Sequence, residues 1–172
     1  WGREIMKGLV RRPHRFIKMC NDYRLLPYFL KELDDLKYIP DGKGSNLYEH
    51  VMKVLQVIES RLDTDKLMQS ESFVLAGLFQ HIGTKTLDGS DRTKLTDRRI
   101  TDYMTRWNIP SETIDEVIAT IGSYKSFYEP VSEKKFCEDV LEFSRYAIEV
   151  ALQFSKCVAV AGGFREKYSD VL

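Results

Sequence analysis

His50, Gln80 and His81 are the residues whose types and spacing come closest to a metal centre in this chain. Imidazole nitrogens bind Zn, Fe and Ni readily, whereas a neutral Gln amide is a poor transition-metal ligand. A second histidine also lacks the anionic oxygen with which a carboxylate bridges two ions. Gln80 and His81 close the apolar stretch Leu75-Ala-Gly-Leu-Phe-Gln-His-Ile-Gly-Thr-Lys85. His50 lies about 30 residues earlier, three after Leu47 and four before Val54, and so points along a buried helical stripe. The set reads as a vestigial metal site or as core histidines satisfied by neighbouring groups, with no metal expected. His14, the third histidine, stands at an unrelated spacing, so no Ser-His-Asp or Cys-His arrangement is supported.

A different chemistry is available near the start. Lys7, Arg11, Arg12, His14, Arg15 and Lys18 form the one concentrated basic cluster, with Tyr23 and Arg24 close behind. Such groups hold phosphates through charge-assisted hydrogen bonds, and an adjacent tyrosine can stack on a base. The competing reading is a solvated face whose charges pair with Glu4, Asp22 or Glu32. A second set, Arg92, Lys94, Arg98, Arg99 and Arg106, is interleaved with Asp91, Asp97 and Asp102, which favours self-neutralisation. Gly42-Lys-Gly-Ser45 has the look of a phosphate-handling Gly-Ser turn. It is followed by the amphipathic run Asn46-Leu-Tyr-Glu-His-Val-Met-Lys-Val-Leu55 rather than by a strand with Asp-x-Asp carboxylates, and it lacks the Walker spacing. It is expected to be a loop before a helix.

The elements that must position these groups are helical almost throughout. Leu47, Val51, Val54, Leu55, Ile58 and Leu62 recur at helical spacing, and Asn46 with Glu49 three residues on fits an N-cap. The span from Tyr38 to Ser45 reads as a loop. Pro13 opens a helix of about ten residues carrying Phe16, Ile17 and Cys20, and Pro27 suits the first turn of a helix bearing Leu30, Leu33 and Leu36. Phe73, Ala76, Leu78, Phe79 and Ile82 mark a buried helix stopping at Gly83, and the polar run from Thr84 to Thr96 reads as a loop. Ile100, Tyr103, Met104 and Trp107 make the next helix, ended by Asn108-Ile-Pro110, and Ser111 caps one with Ile114, Val117, Ile118 and Ile121. Beyond Pro130, Ser132 caps a long helix from Phe136 through Val140, Phe143, Val150 and Phe154 to Val158, stopped by Gly162-Gly163. About eight helices and no period-2 strand predict an all-α, multi-helix bundle.

Composition narrows the partners. The 26 basic and 26 acidic residues cancel, so no global field draws the chain to nucleic acid or membrane, and any RNA contact must be local. Cys20, Cys137 and Cys157 are scattered and odd in number, which suits a reducing cytoplasm better than a disulfide framework. No apolar run reaches the ~18 residues of a membrane span. The start, Trp1-Gly2-Arg3, without methionine, is expected to be processed or internal to something longer.

With those residues in view, the chain resembles the post-catalytic region of bacterial CCA-adding tRNA nucleotidyltransferases and poly(A) polymerases. The likeness runs through Leu25-Leu-Pro-Tyr-Phe-Leu-Lys-Glu-Leu33, then Tyr48-Glu49-His50, then Leu78-Phe-Gln-His-Ile-Gly83, then Arg98-Arg-Ile-Thr-Asp-Tyr-Met-Thr-Arg-Trp-Asn-Ile-Pro110. Together these cover about residues 3–125; the long helix after Pro130 has no counterpart. The third element is similar to the His-Asp-Ile-Gly-x-Lys helix of HD-superfamily phosphohydrolases, with Gln80 and His81 at the places of the two metal ligands. The resemblance implies an HD-like bundle with a long C-terminal helix, divided into a basic helical neck or body segment (1–38), a degenerate HD-like domain (39–128) and a C-terminal helix packed on it (129–172). It implies a part that grips tRNA or other structured RNA, through Lys7, Arg11, Arg12, Arg15, Lys18 and Arg24, and no cofactor in this chain. Nucleotide transfer, with its Mg²⁺, would belong to an N-terminal head whose Gly-Ser turn and carboxylates are not among these residues.

Two other functions stay open at this stage. One is an HD-type phosphohydrolase using His50 and His81 with carboxylates such as Asp88 or Asp91. The other is a structural module that forms homo-oligomers through the apolar face of the C-terminal helix.

Overall fold

The computed structural model describes residues 2–83, 93–128 and 145–163. These residues form an all-α bundle of nine α-helices: α1 (Gly2–Arg11), α2 (Pro13–Asp22), α3 (Leu26–Phe29), α4 (Lys31–Asp35), α5 (Leu47–Arg61), α6 (Glu71–Phe79), α7 (Thr93–Arg106), α8 (Ser111–Tyr128) and α9 (Arg145–Ala161). Among the described residues the sole β pairing is an isolated bridge between Pro40 and Asn46.

The bundle is built around α6, whose residues from Ser72 to Phe79 are all buried. Ser70 starts it by accepting the Phe73 N–H on Oγ (3.2 Å). Helix α5 packs on one side, and Gly77 sets the distance between the two. A Cβ there would come within 2.7 Å of Ile58 Cδ1 and 3.3 Å of a Leu55 methyl, so a larger side chain would push α5 away. Helices α8 and α9 cover another side of α6, and α9 also packs on α5. Phe154 of α9 meets Phe73 and Tyr124 edge-to-face, with ring centroids 5.5 and 5.2 Å apart. The apolar stripe of α9 (Val150, Phe154, Val158) is therefore occupied within the chain. One continuous buried cluster joins residues from 1–38, 39–128 and the described part of 129–172.

Several sequence expectations meet the structure at these boundaries. Helix α5 begins where foreseen: Asn46 Oδ1 accepts the Glu49 N–H at 2.8 Å, and Ser45 Oγ donates to the Glu49 carboxylate. The loop before it is held by Asp41, which accepts the N–H groups of Lys43 (2.7 Å) and Ser45 (3.0 Å) while Gly42 and Gly44 supply the positive φ. The helix expected after Pro27 is instead two short pieces, α3 and α4. The chain breaks at Leu30 (φ −148°, ψ 65°), which lets Leu26, Leu30, Leu33 and Leu36 all reach the core. Helix α6 ends at Phe79 and reaches Gly83 through a turn. Helix α7 starts at Thr93, inside the stretch read as loop, and Ser111 is the first residue of α8. Ser132, Phe136, Val140 and Phe143 lie outside the described residues, whereas the expected stop falls at Gly163 (φ +84°).

Candidate nucleic-acid interface

Helix α2 sorts its side chains by angle. At 100° per residue, Pro13, Ile17 and Cys20 face the core and are buried, His14 and Lys18 leave on one flank, and Phe16 and Met19 leave on the other. On the His14 flank the chain forms a polar hollow of about 430 Å³ shared with α5, whose Gln56, Glu59 and Ser60 complete the wall. Arg12, Arg15 and Lys18 all line it. An adjoining hollow of about 550 Å³ is bordered by Arg11 and Arg12.

The electrostatics turn on Glu59, a residue the sequence analysis did not single out. Its side chain is only 9% exposed, and it accepts the backbone N–H of Arg15 at 3.1 Å while pairing with the Arg15 guanidinium at 3.1 Å. Arg12, at the N-cap of α2, makes no side-chain cap. Glu59 therefore caps α2 from a different helix, placing a carboxylate where the helix dipole favours one. It also pairs with Arg15, whose side chain stays largely in solvent. Three cations around one carboxylate leave the hollow with a surplus of two positive charges. Arg12 and Lys18 are exposed and enter no ion pair among the described residues.

Not all of the expected cluster converges. Lys7 is turned to Glu4 (2.7 Å) on α1, the intrahelical pairing that a solvated face would give. Arg24 lies past the opposite end of α2, roughly 18 Å along the helix from Arg12 at 1.5 Å per residue. It takes the left-handed conformation (φ 57°) that ends α2, with its N–H on Asn21 O (2.9 Å) and the Leu25 N–H on Cys20 O (2.7 Å). Its place is set by helix termination, apart from the hollow. In the second basic set, Arg106 donates to the Asp102 carbonyl at 3.2 Å and lies over the Tyr103 ring at 4.4 Å.

The histidine pair does come together. The His50 and His81 rings meet edge-to-face with centroids 5.1 Å apart. Burial first, and then Lys43, hold the His50 imidazole below its ordinary pKa; Asp41 opposes them. Gln80 is fully buried: Nε2 donates to the Gly77 carbonyl at 3.1 Å, and Oε1 has no hydrogen-bond partner among the described residues. Among the described residues no group of three His, Cys, Asp or Glu side chains gathers, and Asp88 and Asp91 lie outside them. Two imidazoles and an amide that bonds its own helix do not match the donor set of a hydrolytic metal pair, which needs anionic oxygen to bridge the ions.

Among the described residues no helix is long and apolar enough to cross a membrane. No family model matches the chain, and no curated protein matches it in sequence.

Proposed function

We propose that this chain is an RNA-gripping helical domain of a protein similar to tRNA nucleotidyltransferases and poly(A) polymerases, working in the cytoplasm beside a separate N-terminal catalytic head. The observation that carries the reading is the convergence of Arg12, Arg15 and Lys18 on one polar hollow with a positive surplus. The family part rests on the order of the sequence elements alone. Cations gathered at a helix corner suit recognition of structured RNA by shape and phosphate position, with Arg15 partly neutralised by Glu59 and Arg12 and Lys18 left for the ligand. Of the six residues first named, Arg12, Arg15 and Lys18 form the primary contact, Arg11 extends it, and Lys7 and Arg24 are peripheral. In this reading nucleotide addition, of CCA or of A, and its Mg²⁺ belong to the head.

The test is a fluorescence anisotropy titration with tRNA at low and moderate salt. Binding that weakens with salt, and weakens further in the Arg12→Glu/Lys18→Glu variant, is expected. Absence of binding at low salt would sink the reading.

The His50–His81 contact keeps one rival in play, a metal-dependent phosphodiesterase. Phosphodiesterase turnover abolished by His50→Ala would establish it; the substituted ligand positions lead us to expect none.

A further inference from the structure

The other flank of α2 carries a second and different concavity, of about 580 Å³. Its walls are Phe16 of α2, Phe29 of α3 and Trp107 at the end of α7, the last two with ring centroids 6.3 Å apart. Its mouth is ringed by large side chains left in water: Tyr28 is 87% exposed, Met19 46% and Leu25 42%. Nothing in the helix pattern of α2 and α3 requires three such groups outside the core, and apolar surface gathered around a hollow is characteristic of a ligand site. Two charged residues, Glu4 and Arg106, are also among its lining. Glu4 pairs with Lys7 (2.7 Å) on the solvated face of α1, and Arg106 lies over the Tyr103 ring and donates to the Asp102 carbonyl.

We infer that this aromatic hollow receives an unpaired nucleobase of the RNA strand whose phosphates lie on the Arg12–Lys18 hollow. The inference deepens the proposed function and rests on it. A base supplies a flat π face for Tyr28, Phe16 and Trp107. Its edge supplies an exocyclic amino group for Glu4 to accept from and a ring nitrogen or carbonyl for Arg106 to donate to. The two hollows are separated by the thickness of α2, about 10 Å, so one strand crossing the helix would place phosphates on one flank and a base on the other. A lone apolar groove would suit many occupants. The opposite charges on its rim and the cationic hollow across the same helix favour a base on a polyanion.

The experiment is a titration of the whole chain with fluorescein-labelled oligoadenylate over a range of salt, using Tyr28→Ala, Tyr28→Phe and Arg12→Glu/Lys18→Glu. Tyr28 is exposed, so its variants keep the fold, which thermal unfolding verifies. Tyr28→Ala is expected to weaken binding about fivefold or more, the loss of one stacked base, with the salt slope unchanged and with Tyr28→Phe retaining affinity. Arg12→Glu/Lys18→Glu should instead flatten the salt slope. If wild type binds and the charge reversal weakens it while Tyr28→Ala binds as wild type, the base pocket falls and the RNA reading stands. If Tyr28→Ala weakens binding and the charge reversal does not, the phosphate site falls and with it the inference that one strand spans both hollows. No binding of oligoadenylate by wild type at low salt overturns the base pocket, while the tRNA titration decides the RNA reading separately.

Discussion

The histidine pair and the basic hollow both lean on α5, yet they are opposites. Around His50, Gln80 and His81 the chain keeps a shape: a fully buried helix, two imidazoles in contact, and an amide whose donor turns back on its own helix. Around Arg12, Arg15 and Lys18 it keeps charge at positions where no packing requires it. Only Glu59 there has a structural duty, as the cap of α2. Buried groups are held by packing whatever their chemistry, because removing bulk leaves a cavity. Exposed cations contribute little to stability, so packing does not account for this cluster.

The sharpest way to break this comparison is to strip bulk next to the histidine pair. Phe79 is fully buried and packs on Trp107 (5.6 Å) and Tyr103 (6.3 Å). Phe79→Ala should cost about 3–5 kcal/mol in denaturant unfolding; a loss below ~1 kcal/mol would mean that this shell is not the scaffold described. Glu59→Ala comes next. Loss of the α2 cap should cost about 0.5–2 kcal/mol, while the added positive charge tightens tRNA binding several-fold. Weaker binding in a variant that stays folded would mean that Glu59 positions Arg15 for the ligand more than it screens it.

Smaller effects probe the histidine pair and its buried amide directly. Gln80→Met keeps the volume and removes a buried oxygen with no partner among the described residues, so stability should change by less than ~1.5 kcal/mol, towards gain. A large loss would mean that the amide is needed. The smallest effect is the pH dependence of His50. Its folded pKa lies below the unfolded value of 6.5, so between the two the unfolded state binds more protons. Its stabilising contribution is full above 6.5 and is lost as pH falls through that window. The midpoint of thermal unfolding should drop on the acid side of 6.5 in wild type, and less in His50→Leu.

The helical stripes were legible because burial imposes a period. Leu47, Val51, Val54, Leu55 and Ile58 are all buried on α5, and Asn46 caps it as expected. The meeting of His50 with His81 was left open by their spacing of about 30 residues; the direct packing of α5 on α6 brings the two rings together. The break at Leu30 was not, because Pro27 and the leucine spacing fit one continuous helix locally, and it is tertiary burial of Leu30 and Leu33 that divides it. Glu59 was missed for a related reason. It lies 44 residues from Arg15, and nothing in its own neighbourhood distinguishes it from an exposed helical glutamate. The aromatic hollow likewise joins Phe16, Tyr28 and Trp107 from three distant segments. Charge clustering in sequence marked α2, where Arg12, Arg15 and Lys18 share a hollow, but placed Lys7 and Arg24 with them, because spacing along the chain does not reveal which hollow or helix end a side chain occupies.

The measurement that bears most directly on the central claim is the salt dependence of tRNA affinity in wild type and in Arg12→Glu/Lys18→Glu. The account predicts that log affinity falls linearly with log salt, and that the double reversal both weakens binding and reduces the slope by about 2, one for each phosphate contact removed. An unchanged slope and affinity in a folded variant would contradict it.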